Sequence, residues 1–226
     1  ALTVLRGRRF HPWEGGEGRV SEQWVRANLR LAQAALYKHE ADRAIAYLHA
    51  ALERPHNLGE GKHPLAAENE VHYHLALAER AAGHGTSARR WLRRAAAAQG
   101  DLQAAPGVSS YWRACALKAL GDEEGGARLL GELLDSARER ASEPQRIDYF
   151  AASVPNFMIL DDDLHRRTRI ECGYLESLAN AGLGRRRAAI AGLRRVLALD
   201  PAHADAAWQL DSLLATRGRK QSRSGE

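Results

Sequence analysis

The stretch LAQAALYKHEADRAIAYLHAALERP, residues 31–55, decides the fold. Small and apolar residues recur in it at helical spacing and form two separate stripes. The two stripes consist of Leu31, Ala32, Ala35, Ala44, Leu48 and Ala51. This pattern predicts two short helices joined by a tight turn. The small alanines allow the two helices to approach closely, and Leu31 and Leu48 fill the surrounding space. Such a hairpin cannot bury its apolar faces alone, so it requires neighbours of the same kind.

The rest of the chain supplies similar hairpins. We predict them near residues 22–54, 66–99, 106–138 and 164–199, followed by a capping helix at 203–216. Small and apolar residues mark the later hairpins at corresponding positions: Leu75, Ala76, Gly83, Ala88, Leu92 and Ala95, then Ala114, Gly121, Gly126, Leu130 and Leu133, then Leu175, Leu178, Gly184, Ala189, Leu193 and Val196. The capping helix has Trp208, Leu210 and Leu214 on its apolar side.

These positions match the tetratricopeptide (TPR) pattern, so the chain resembles TPR proteins. The resemblance implies an all-α fold of antiparallel helical hairpins stacked in a right-handed solenoid. It also implies that the first helix of each hairpin lines a concave face that binds peptides or other domains. On this basis we expect some of the following residues to line the groove and others to lie in the core: Arg26, Gln33, Tyr37, Tyr73, Arg80, Tyr111, Trp112 and Tyr174.

A more particular likeness rests on four strings, FHPWEGGEG (10–18), NLGEGK (57–62), AENEVHYHLA (67–76) and IDYFAASVPNF (147–157). They are similar to the C-terminal repeat region of large bacterial proteins carrying domain of unknown function 5107. That family implies a preceding N-terminal portion of suspected sugar-handling β-sandwich character. Because the chain opens mid-pattern and without methionine, we expect it to be part of a longer protein.

The segments between the hairpins lack a clear repeat pattern. Residues 1–20 are expected to form a Gly-rich leader, extended or in a short strand, with Ser21 as the N-cap of the first long helix. Residues 55–65 are expected to form a long loop, and 141–163 an irregular insert whose Asp163 caps the next helix. The basic tail from Arg217 to the end is expected to be disordered.

Two Gly-Glu-Gly loops, at residues 16–18 and 59–61, flank the first hairpin. Glycines on both sides free each carboxylate to reach a crowded place. The residues predicted to act as ligand-binding or docking loops are Trp13, Glu14, Glu17, Glu60, Lys62, Glu68, Asn69 and His72. An aromatic platform beside carboxylates suits a sugar. The structural alternative is that the glutamates accept hydrogen bonds from helix N-termini or pair with Arg26, Arg30 or Lys62.

Charge and cysteine content narrow the class of protein. The formal net charge is +5 and comes almost entirely from arginine, but without interleaved aromatic residues it does not indicate a nucleic-acid groove. No apolar run reaches the length of a membrane span. Cys115 and Cys172 stand alone among apolar residues, which predicts free thiols in a reducing compartment, and we place the protein in the cytoplasm.

No nucleophile triad, P-loop or HExxH motif is present, so we expect no catalytic residue, metal or cofactor in this chain. Two hypotheses remain. The first is a non-enzymatic scaffold that binds a protein, a peptide or an N-terminal domain of its own chain. The second is an accessory part of a carbohydrate-active protein whose Glu/Gly loops help to form a sugar site.

Overall fold

A computed structural model describes residues 1–11, 16–63, 66–98, 105–143 and 164–222, with the backbone alone for residues 216–222. Within these ranges the regular structure is helical. The helices are α1 (Leu2–Gly7), α2 (Arg19–Tyr37), α3 (Ala41–Leu52), α4 (Asn69–Ala81), α5 (Gly85–Ala96), α6 (Val108–Leu120), α7 (Glu123–Ser142), α8 (Leu164–Gly182), α9 (Arg186–Leu199) and α10 (Ala204–Ser222). The prediction of an all-α fold built from TPR-like helical hairpins is confirmed.

The chain divides into two compact units. One contains Ala1–Ala104 and Trp112–Gly126, and the other contains Ala105–Tyr111 and Ala127–Glu226. In the first unit α2 packs along α3 and α4 packs along α5, while α3 also contacts α4. In the second unit α8 packs along α9, which contacts α10.

A common turn reverses the chain inside three of these hairpins. Each turn has three residues, and its middle residue has a positive φ: 62° at His39, 84° at Gly83 and 75° at Gly184. The next residue donates its N–H back into the first helix, as Glu40 does to the carbonyl of Ala35 at 2.9 Å. This hydrogen bond satisfies a carbonyl that the helix end leaves open, and the left-handed residue favours glycine. His39 therefore occupies a position that glycine holds in the other two hairpins.

The core of the first unit consists of the predicted small and apolar residues. Ala32, Ala44, Leu48 and Leu75 are each 0% exposed and belong to one cluster of packed side chains. Leu31 was predicted to fill this core, but it is 38% exposed. That prediction is wrong because the buried side of α2 contains Leu29 and Ala32, which lie about 160° and about 100° around the helix axis from Leu31.

The N-terminal segment is partly helical, which corrects the prediction of an extended leader or strand. Leu5 of α1 packs against Trp24 and Leu58 in a separate small core. Asn57 fixes the end of α1, since its Nδ2 donates to the carbonyls of Leu5 at 2.7 Å and Arg8 at 2.8 Å. Leu58 is brought there by a 3₁₀ turn, which the prediction of a plain loop at 55–65 did not include.

Two predicted helix boundaries and one predicted buried position differ in the structure. Helix α2 begins at Arg19 with Gly18 as its N-cap, so Ser21 is buried inside the helix and does not cap it. The backbone of α10 continues to Ser222, so residues 217–222 are helical and the disordered tail predicted from Arg217 does not begin there. Leu214 of α10 is 40% exposed and lies outside the apolar side predicted for it.

Most of the insert predicted at residues 141–163 lies outside the described residues. Helix α7 reaches Ser142, inside the range predicted as an irregular insert, and residues 144–163 with the predicted cap Asp163 lie outside the described residues. Cys115 is half-buried and Cys172 is buried, and neither forms a disulfide, as predicted.

Candidate functional site

A stripe of polar and aromatic side chains runs along one side of α2. Its members, Arg26, Arg30, Gln33 and Tyr37, lie three or four residues apart and therefore share one helix face. Arg30 Nη1 donates to Gln33 Oε1 at 3.0 Å, which holds the Gln33 amide in a fixed orientation. Helix α2 contacts α4, and Gln33 is the member of the stripe that reaches it.

The stripe continues onto α4 through one side-chain contact. Gln33 Nε2 lies 2.9 Å from His74 Nε2, so the amide donates to the ring nitrogen when the imidazole proton is on Nδ1. His74 is 8% exposed, and its Nδ1 has no hydrogen-bond partner among the residues that the structure describes. Burial lowers the pKa of His74 to about 4, with a smaller contribution from the Arg30 guanidinium, so the ring is neutral at pH 7.

Aromatic contacts extend the same surface to α6. The Trp112 ring lies 5.0 Å from the His74 ring and 5.4 Å from the Tyr73 ring, measured between centroids. Burial raises the pKa of Tyr73 to about 12, and the Cys115 thiol adds to this effect. Gln33, Tyr73 and Trp112, three of the predicted groove residues, therefore meet in one layer of the first unit. We call this layer, with Arg30 and His74, the bridging layer.

The solvent side of the bridging layer is basic and aromatic. Tyr37 is 69% exposed, Arg80 is exposed, and Arg26 is 41% exposed in its side chain while forming an ion pair with Glu22 at 2.8 Å. Arg80 lies close enough to act on the Tyr73 phenol, whose pKa it lowers slightly. Tyrosine and arginine are the side chains that protein interfaces use most often as anchors.

The two remaining predicted groove residues lie in the second unit. Tyr111 and Tyr174 are each 8% exposed. The Tyr174 ring packs 4.8 Å from the ring of His203. Both are therefore core aromatics, one of the two outcomes expected for the tyrosines.

At the Gly-Glu-Gly loops, Glu60 makes the contact that the structural alternative describes. Its Oε1 accepts a hydrogen bond from the Gly18 N–H at 2.9 Å, and Gly18 is the N-cap of α2. The carboxylate thus stabilises a helix N-terminus and joins the two loops. Glu17 is exposed, while Trp13 and Glu14 lie outside the described residues.

The predicted residues that follow the second loop do come together. Lys62 Nζ lies 2.8 Å from Glu68 Oε2, and His72 Nε2 lies 4.0 Å from the same oxygen. His72 stacks on Trp91 with ring centroids 5.3 Å apart, and burial lowers the pKa of the imidazole. Across the same ring, the Arg94 guanidinium lies 4.7 Å from the Trp91 centroid. These contacts fix the start of α4 against α5.

Asn69 has a structural role at the same place. It is 0% exposed, and its Nδ2 donates to the carbonyls of Ala95 at 2.8 Å and Ala97 at 2.9 Å. The amide therefore satisfies carbonyls at the C-terminal end of α5 from the first turn of α4. Among the described contacts of the loop residues, none supports the sugar-site hypothesis.

Sequence reasoning left two central residues out of the predicted groove. The predicted groove includes neither His74 nor Arg30, and Arg30 is expected only as a partner for a glutamate. The signal for both was available, since Arg30 lies in the i, i+4 stripe of Arg26 and His74 adjoins Tyr73.

The described ranges contain neither a candidate metal centre nor a membrane-spanning helix. In that part of the chain, no three His, Cys, Asp or Glu side chains are arranged to hold a metal ion. None of its helices is long and apolar enough to cross a membrane.

Comparisons with known proteins add little. No protein-family model matches the sequence. The chain is similar to the solved structure of MamA, residue 41 to the end, from Desulfovibrio magneticus RS-1, with 14% identity, a TM-score of 0.30 and coverage of 89% of this chain and 90% of that one. A MamA RS-1 ArsTM double mutant gives 14% identity, a TM-score of 0.29 and 89% coverage of both chains. At this level of similarity the fold assignment rests on the helices of the chain itself.

Proposed function

We propose that this chain is a non-catalytic helical-repeat scaffold, and that the solvent side of the bridging layer binds a protein segment. The segment belongs to a partner or to another domain of the same protein. The observation that carries the proposal is that the His74 ring contacts both the Gln33 amide and the Trp112 ring. These two contacts join α2, α4 and α6 into one surface.

The chemistry of this surface suits a protein ligand. Its solvent side carries the exposed side chains of Tyr37 and Arg80 and the half-buried guanidinium of Arg26. The bridging layer is held by hydrogen bonds and ring contacts, so these side chains project from a rigid base. A rigid base lowers the ordering cost of binding.

The resemblance to the repeat region of bacterial proteins with domain of unknown function 5107 fits this proposal. In such a protein the repeats would dock the N-terminal portion or an external partner. We propose the same setting, a cytoplasmic bacterial protein larger than this chain, as the context in which the scaffold acts.

Site-specific photo-crosslinking tests the proposal. A benzophenone amino acid at Tyr37 is expected to give a discrete crosslinked product in the native host. The matched control is the same amino acid at Ala46, which is exposed on α3 and lies on the other helix of the hairpin. Equal products at both positions, or none at Tyr37, would contradict the proposal.

A further inference from the structure

An open cleft of about 410 Å³ lies between α7, α8 and α9 in the second unit. Its floor is small and apolar, and Ala137, Cys172 and Val196 in that floor are each at most 2% exposed. A volume of this size is within the usual range of small-molecule sites, which are concave and mostly apolar.

Two glycines shape the floor. A Cβ atom at Gly173 would lie 3.2 Å from Val196 Cγ2, and one at Gly192 would lie 2.3 Å from Ser177 Oγ. The side chains of Val196 and Ser177 therefore lie directly against the glycine backbone of the facing helix, and α8 and α9 pack closely at this point. The floor of the cleft is consequently a continuous, closely packed surface.

The rim of the cleft is basic. It carries Arg138, Arg169 and Arg195 against one carboxylate, Glu176. Arg138 is already engaged, since its Nη2 lies 3.1 Å from Glu176 Oε1. Arg169 and Arg195 are exposed and form no ion pair with any residue that the structure describes. The rim thus leaves two positive charges uncompensated by the described carboxylates beside an apolar floor.

From this combination we infer that the cleft binds a small amphipathic organic anion. Arg169 and Arg195 hold its charged group, for which a planar guanidinium is well suited, and its apolar part covers the floor. The inference is independent of the proposed protein-binding surface, because the cleft lies in the second unit and the bridging layer in the first.

Fluorescence titration with 8-anilinonaphthalene-1-sulfonate tests the inference, because this probe is an apolar anion. We expect saturable binding at one site, displacement by octanoate, and weaker binding at higher salt. The uncharged analogue N-phenyl-1-naphthylamine is expected to bind at least about tenfold more weakly. Equal binding of the two dyes, or failure of octanoate to compete, would overturn the assignment.

Variants locate the site. Arg169→Gln and Arg195→Gln are each expected to weaken dye binding about tenfold, the loss typical of one charge-assisted contact. The matched control is Arg194→Gln, since Arg194 is exposed on the same helix but does not line the cleft. It is expected to leave affinity within about twofold. Equal loss in all three variants, or no loss in any, would contradict the site.

A space-filling variant separates shape from charge. Ala141 is exposed and lines the cleft, so Ala141→Trp narrows it without removing a guanidinium. Dye binding is expected to fall at least about fivefold while circular dichroism stays unchanged. Unchanged dye affinity in this variant would show that the dye binds elsewhere and would overturn the inference.

Discussion

Two glycines of α7 differ in their surroundings, and replacing each with alanine is expected to change stability in opposite directions. A Cβ atom at Gly126 would lie 2.9 Å from the Ala114 carbonyl oxygen and 2.4 Å from Lys118 Cγ. The lysine side chain can move, but the backbone carbonyl of α6 cannot move without separating the helices. At Gly131 a Cβ atom would meet nothing within 4 Å.

The magnitudes follow from two opposing effects. Alanine in a helix interior is favoured over glycine by about 1 kcal/mol, and this gain applies at both positions. Overpacking typically costs about 1–3 kcal/mol, and this cost applies only at Gly126. Gly131→Ala is therefore expected to raise the free energy of unfolding by about 0.5–1 kcal/mol, and Gly126→Ala to lower it by about 1 kcal/mol.

Urea denaturation followed by circular dichroism at 222 nm measures both variants against the wild type. If the slope of unfolding free energy against urea concentration is the same in variant and wild type, a shift in the urea midpoint reports a change in stability. If Gly126→Ala stabilised the protein as much as Gly131→Ala, close contact between α6 and α7 at this position would be refuted.

Three further predictions concern single side chains. His39→Gly is expected to raise the free energy of unfolding by about 0.5–1 kcal/mol, because glycine adopts positive φ without strain; a loss on denaturation would contradict this account of the turn. Asn69→Ala is expected to cost about 2–4 kcal/mol, since it leaves two carbonyls without their amide donor. The equally buried control Asn28→Ala should cost at least about 1 kcal/mol less, because the Asn28 amide donates to the Trp24 carbonyl of its own helix. Similar losses in both variants would argue against the link between α4 and α5. His74 has a lowered folded pKa of about 4 against 6.5, so its neutral form contributes stability above pH 6.5 that is lost as the pH falls to about 4. The unfolding free energy is expected to fall by up to roughly 3 kcal/mol over this pH range. His74→Leu should flatten the profile of unfolding free energy against pH between about pH 4 and 6.5. An unchanged profile in this variant would contradict the assignment of the pH dependence to His74.

Much of the hairpin architecture could be predicted from the sequence because it depends on local periodicity. Ala44, Leu48, Leu75 and Ala95 lie in the core as their spacing indicates. Leu31 shows the limit of the method. Leu31 and Ala32 are adjacent and both apolar, so the sequence does not show which of them faces the core. In the structure Ala32 is buried together with Leu29, and Leu31 is exposed.

The candidate site was predictable only in part. The TPR resemblance led us to expect Arg26, Gln33 and Tyr37 in the groove, because it places the first helix of each hairpin on the concave face. The contact of Gln33 with His74 depends on how α2 packs against α4, 41 residues later in the chain, so spacing alone did not find it. For Glu60, spacing left open a ligand or a structural role, and only the packed structure places it on the Gly18 N–H.

The cleft of the second unit could not be found from the pattern at all. Arg194 and Arg195 are adjacent in the sequence and look equivalent. Only the packing of α9 on α8 turns Arg195 to the cleft, while Arg194 lies outside its lining.

The most direct test of the central claim is the affinity of the segment captured by crosslinking at Tyr37. We expect a Tyr37→Ala, Arg80→Ala double variant to bind that segment at least about thirtyfold more weakly, as expected for two interface anchors. Arg89→Ala with Arg93→Ala, two exposed positions on α5, is the control and should stay within about twofold. Full affinity in the first variant, or an equal loss in the control, would contradict a binding surface on α2, α4 and α6.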